Sequence, residues 1–76
     1  MRLPVLSGRQ VIRVFERFGY EFDHQRGSHM VMRHAAPPHR RILVPDHREL
    51  DRGMLRGIIR QAGLTVEEFV SLADDL

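Results

Sequence analysis

The chain contains no Cys, no Lys and no Trp, and only one Tyr. Without Cys it can form neither a disulfide framework nor a thiolate zinc site, and such usage fits a reducing, cytoplasmic location. No stretch approaches the ~20 consecutive apolar residues that a membrane span requires, so no membrane partner is expected. The segment Met1 to Leu6 is too short for a signal peptide. Seventy-six residues leave room for one small domain, so residues 1–76 are expected to form a single unit. A domain of this size buries a modest core and is commonly supplemented by a partner.

The missing Lys also explains the sequence pI of about 10.4, which overstates the basicity. All twelve bases are Arg, and ten acids leave a formal charge of only +2. Almost nothing titrates between His and Arg, so the charge stays on a low plateau over many pH units. Distribution is more informative than the total. Residues 1–60 hold every Arg and six acids, a balance of +6, whereas residues 61–76 hold four acids and no base, a balance of −4. A basic body with an acidic tail is a better pointer to partners than the total, the tail serving either to pack or to make a contact of its own. Five His are also present.

Local patterns divide the chain into helix, strands and helix. Ser7 and Gln10 make a capping-box pair, and Val11, Ile12, Val14, Phe15 and Phe18 form an apolar helical stripe. A helix over about residues 8–18 follows, with Gly19 placed to end it. Tyr20, Phe22 and His24 then alternate with Glu21, Asp23 and Gln25, which is strand spacing. Arg26-Gly27-Ser28 supplies a turn with Gly where a positive φ is called for. His29 to His34 reads as a second strand, with Met30 and Met32 on its core side, and Pro37-Pro38 marks a loop. Arg40 to Val44 makes a third strand closed by Pro45. Asp51 caps a helix carrying the stripe Leu55, Ile58, Ile59 and Ala62, which Gly63 ends. Thr65 and Glu68 open a short final helix. The order predicts an α+β two-layer domain in which helices cover one face of an antiparallel three-stranded sheet and leave the other open.

Several ordered segments together resemble the HicA-type toxins, also called YcfA-like proteins. They are Leu3-Pro4-Val5-Leu6-Ser7-Gly8, Phe18-Gly19-Tyr20, Gly27-Ser28-His29, Val44-Pro45 with His47, and Gly53 through Thr65 with Glu68-Phe69. The resemblance covers nearly the whole chain. It implies a double-stranded-RNA-binding-domain-like α-β-β-β-α fold, here with a short extra C-terminal helix. It further implies a toxin of a type II toxin–antitoxin system, an mRNA interferase that cleaves RNA without metal or other cofactor. The implied partners are mRNA and a HicB-type antitoxin, the toxin being a monomer when free and part of a hetero-oligomer when neutralised. The family's catalytic His falls on His29. One departure is Arg26, where many members have Lys; the two cations bind phosphate with different geometry.

The residues themselves make His29 chemically plausible in that role. RNA cleaves when its 2′-hydroxyl is deprotonated in line with the phosphorus, which needs a base, an acid for the leaving 5′-oxygen and cations for the phosphorane. His exchanges protons near neutrality. His29 follows a Gly turn at the start of a strand, where Arg26, Gly27 and Ser28 add charge, close backbone approach and a hydroxyl. Arg33 shares its strand parity, and Arg40 and Arg41 can extend the patch. Taken without the resemblance, a lone His at such a place is more often a solvated polar residue, and a non-catalytic RNA-binding module is the alternative function.

The remaining cations and His read less sharply. Arg52, Arg56 and Arg60 recur every four residues along one helix edge. They serve equally as a phosphate track or as a solvated face whose stems cover apolar surface; Arg56 and Arg60 are kept as RNA-binding candidates. His24 and His34 alternate with core-like positions and are expected to fill the sheet. His39 is expected to be solvated, and His47 to hydrogen-bond near the second helix or to act as a second acid or base. The spacing of five along His24, His29, His34 and His39 should place successive His on opposite faces, and no metal site is expected.

Overall fold

The computed structural model describes residues 2–74 and has the element order α1 (Gly8–Glu16), β1 (Tyr20–Arg26), β2 (His29–His34), β3 (Arg41–Pro45), α2 (Arg52–Gln61), α3 (Val66–Ala73). Each helix starts where its capping residue stands. The Ser7 hydroxyl accepts the Gln10 N–H at 3.1 Å, and the Gln10 side chain accepts the Ser7 N–H at 2.9 Å. Thr65 and Glu68 repeat this reciprocal pair at 3.1 and 2.9 Å, and the Asp51 carboxylate accepts the Met54 N–H at 3.1 Å. These bonds satisfy donors that a helix start otherwise leaves unpaired. α1 ends two residues before the expected limit, because Arg17 and Phe18 already turn toward Gly19, whose φ is 90°. β3 is shifted by one residue, running from Arg41 to Pro45. Arg40 instead sends its guanidinium to the Gln61 carbonyl (3.1 Å) at the end of α2, where a cation complements the exposed carbonyls.

The sheet is an antiparallel meander in the order β1-β2-β3. Register sorts its side chains cleanly. Met30 faces Val44 and Met32 faces Ile42 across β2 and β3, and all four are buried in a single cluster with Val11, Val14 and Phe15 of α1 and Leu55, Ile58 and Ile59 of α2. The helices therefore lie on one face. Phe15 is central: its ring meets Phe69 of α3 at 5.4 Å, Tyr20 at 5.6 Å edge-on and Phe18 at 6.4 Å. Complete burial of such side chains is worth about 1.5–3 kcal/mol each. Among the described residues no polar or charged side chain is fully buried.

β1 departs from simple alternation. The ladder pairs Tyr20 with His34, Glu21 with Arg33 and Phe22 with Met32, then skips Asp23 and resumes with His24 opposite Val31. Asp23 is thus the extra residue of a β-bulge, which kinks a strand and re-aims the residues beyond it. Tyr20 is buried, but Phe22 remains 49 % exposed in a groove between α1 and the sheet edge. Burial also pushes the Tyr20 phenol up, against the opposing charge of Arg40. His24 does not fill the core, contrary to the alternation: past the bulge it belongs to the uncovered face.

Candidate functional site

The uncovered face is built around the β1–β2 hairpin. Its two-residue turn is Gly27-Ser28, with a positive φ (59°) at Gly27 but not at Ser28. This pattern suits the Gly-first hairpin turn, whose twist matches the flanking strands. Arg26 and His29 close the turn as a cross-strand pair, and both are exposed. Along β2, residues of one parity share a face, so His29, Val31 and Arg33 point away from the helices. Their neighbours in β3 are Pro45, Leu43 and Arg41, and Arg33 also faces Glu21 of β1. The surface so formed has an apolar floor of Val31 and half-exposed Leu43. His24, Arg26 and Arg41, with Gln61 from the end of α2, rim a depression of about 310 Å³ over it.

The turn is tied down from below. The Asp46 N–H donates to the Ser28 carbonyl at 2.7 Å. The Asp46 carboxylate accepts from Arg9 of α1 at 3.1 and 3.2 Å and from Gln25 of β1 at 3.3 Å. The Arg9 guanidinium beside it holds the carboxyl below its ordinary range. One residue thereby joins the helix start, the hairpin and the end of β3. Gly8 completes the junction: its N–H donates to the His47 carbonyl at 2.9 Å, and a Cβ there would run into the Pro45 carbonyl.

Of the residues singled out in the sequence, Arg26, Gly27, Ser28, His29 and Arg33 come together on this hairpin face, and Arg41 joins them. Arg40 does not, being committed to α2. Arg56 and Arg60 are exposed, but on another side. At 100° per residue they lie on the helix edge away from Gln61, the α2 residue that reaches the depression. The four-residue periodicity revealed an Arg edge without revealing which way it faces.

The His residues also sort differently from their spacing. His34 fills the sheet as expected: its Nε2–H donates to the Phe18 carbonyl (2.7 Å), its Nδ1 accepts the Ala36 N–H (3.0 Å), and its ring stands edge-on to Tyr20. His39 is half-buried rather than solvated, with its Nδ1 3.1 Å from the His34 carbonyl. His47 makes its hydrogen bond through its backbone, and to α1 rather than near α2. His24 and His29 share the open face, because alternation does not carry across a turn and a bulge. No local sequence signal marks that bulge, and Asp46 acts through a partner 37 positions away.

These features define a small α+β protein whose helices cover one sheet face and whose other face exposes imidazole and guanidinium groups. Residues 8–64, three-quarters of the chain, match the family described as HicA toxin of bacterial toxin-antitoxin. The chain belongs to the HicA toxin family. The matched segment runs from the first residue of α1 to just beyond α2, so α3 follows it. No curated protein matches the chain. Membership makes it a toxin of a toxin–antitoxin system, with an antitoxin partner in general terms. Among the described residues no helix is long and apolar enough to cross a membrane.

Proposed function

We propose that this toxin is an mRNA interferase, a single-domain cytoplasmic endoribonuclease that needs no metal and is neutralised by a HicB-type antitoxin. The observation that carries this reading is the placement of His29: exposed, at the first position of β2, directly opposite Arg26 and four residues from Arg33 of the same parity, on a sheet face that no described helix or strand covers. His29 exchanges the proton of the attacking 2′-hydroxyl, and the Arg pair offsets charge that grows on the phosphorane oxygens. Gly27 and Ser28 allow a phosphate to approach the turn backbone. A rigid ladder holds the imidazole, which limits the loss of precision that a mobile loop would bring. The antitoxin is expected to cover this face.

The test is induction of the wild type and of His29→Ala, separately, in cells. Wild type should arrest growth and deplete intact mRNA, and His29→Ala should do neither. In vitro, His29→Ala should slow cleavage by about 10²–10⁴-fold, the usual contribution of a general acid or base, and EDTA should leave the wild-type rate unchanged. Equal toxicity of the two forms would refute the role of His29. Salt-dependent RNA binding by a wild type that never cleaves would point to a non-catalytic RNA-binding module instead.

A further inference from the structure

The Asp23 bulge places a second His in the reaction centre, and we propose that His24 is the general acid that protonates the leaving 5′-oxygen while His29 acts as base. This rests on the ribonuclease reading above and specifies the half of the reaction that one His leaves unserved. The ladder sets His24 opposite Val31 and Arg26 opposite His29. On the shared face His24 is therefore the diagonal neighbour of His29, at a separation of about 7–8 Å between backbones. Arg26 lies directly across from one imidazole and two residues along the strand from the other. An in-line displacement at phosphorus calls for this arrangement, with proton carriers on opposite sides of the phosphate and a cation between them.

His24 is also prepared for the part. Its Nδ1 lies 2.9 Å from Oδ2 of Asp23. The carboxylate only accepts, so Nδ1 carries the hydrogen and Nε2 is the atom that exchanges a proton. The 2.9 Å contact sets Asp23 and His24 side by side, whereas regular alternation would put neighbouring residues on opposite faces. Without the bulge His24 would face α1 and be of no use to His29. The charged and titratable groups around it on this face are Asp23, Glu21 and Arg26 of β1, His29 and Arg33 of β2, and Arg41 of β3. The nearby α2 residue, Gln61, is uncharged.

The step balances as follows. Neutral His29 takes the 2′-hydroxyl proton as the O2′–P bond forms. The P–O5′ bond breaks, and O5′ takes the proton of the His24 imidazolium. The products are a 2′,3′-cyclic phosphate and a 5′-hydroxyl. His29 is left protonated and His24 neutral, and exchange with water restores both.

The experiment uses the full chain and an oligoribonucleotide whose cut site has been mapped with the wild type. A second oligonucleotide carries sulfur in place of the bridging 5′-oxygen at that site, a leaving group that needs no acid. His24→Ala and His24→Gln should each cut the oxygen substrate about 10²-fold or more slowly than wild type, yet cut the sulfur substrate within about threefold of the wild-type rate. His29→Ala should be slow on both. The alkaline limb of the wild-type pH–rate profile, where the acid loses its proton, should vanish in His24→Gln. Asp23→Asn, which affects a positioning residue, should lose about tenfold on oxygen and recover on sulfur. If the His24 variants are equally slow on both substrates, or as fast as wild type on the oxygen substrate, the assignment is wrong. If wild type leaves the oligoribonucleotides intact, so that no cut site can be mapped, the ribonuclease reading itself fails.

Discussion

The two faces of the three-stranded sheet are made from the same strands, yet they obey different physics. On the helix side, Met30, Met32, Ile42 and Val44 are shielded by α1 and α2, and among the described residues no polar side chain is fully buried with them. On the other side, His24, Arg26, His29, Arg33 and Arg41 surround Val31 and half-exposed Leu43; no described helix lies over them, and Val31 is buried beneath the side chains around it. Burial of charge is costly unless it is paired, so the covered face cannot hold chemistry without losing stability. The open face can hold it at little cost because water solvates it until a ligand arrives. A 76-residue chain has few side chains to spare, and this division lets one sheet supply both the core and the site.

Substitutions on each face should separate stability from activity. The largest effects come first. Phe15→Ala should remove about 3–5 kcal/mol, a large part of the ~5–15 kcal/mol available to a folded domain, and urea unfolding should show a much lower midpoint. His29→Ala should leave that midpoint within about 0.5 kcal/mol of wild type while abolishing most cleavage. A His29→Ala protein that unfolds like Phe15→Ala would erase the distinction between the faces.

Intermediate effects belong to the turn and junction that connect them. Gly8→Ala forces its new methyl against the Pro45 carbonyl, a backbone group that cannot rotate aside, and should cost about 1–3 kcal/mol. Gly27→Ala meets no neighbouring atom, but φ there is +59°. It should cost about 1–2 kcal/mol, with cleavage falling further than stability because the His29 turn is what moves. Comparing the two by circular dichroism melts and cleavage rates would show whether the turn is coupled to the core.

Binding provides a finer test. Removing Arg33 and Arg41 together should weaken RNA binding at all sequences and flatten its salt dependence by about 0.7 per lost single-strand phosphate contact. Removing Arg56 and Arg60 together should leave the slope unchanged, since they lie on the other edge of α2. A reversed result would move the RNA path from the sheet to the helix.

The smallest effect is expected at Asp46. Its folded carboxyl titrates below its ordinary range because of Arg9. The pairing therefore stabilises the fold above the ordinary carboxylate range and is lost as pH falls through the lowered value. Asp46→Asn should be slightly less stable than wild type near neutrality, and the gap should close in acid.

The helices and the hairpin turn were legible because their signals are local. Ser7 with Gln10, Asp51 alone and Thr65 with Glu68 each bond within three residues, and Gly27 answers to its own φ. The Gly27-Ser28-His29 turn and the parity of Arg33 were readable for the same reason. The His24 assignment failed because alternation assumes an uninterrupted ladder. Whether a bulge forms depends on how β1 must bend to pair with β2, which no neighbouring residue announces.

The order of helices and strands, their caps and the exposure of His29 were thus inherent in the chain, since capping bonds, turn angles and apolar periodicity act over a few residues. The Asp23 bulge that brings His24 beside His29, the Arg9–Asp46–Gln25 junction beneath the turn, and the direction in which α2 turns its Arg edge were decided only in the folded molecule. Each depends on register or packing between segments distant in sequence, and those relations exist only once the strands have paired and the helices have covered one face.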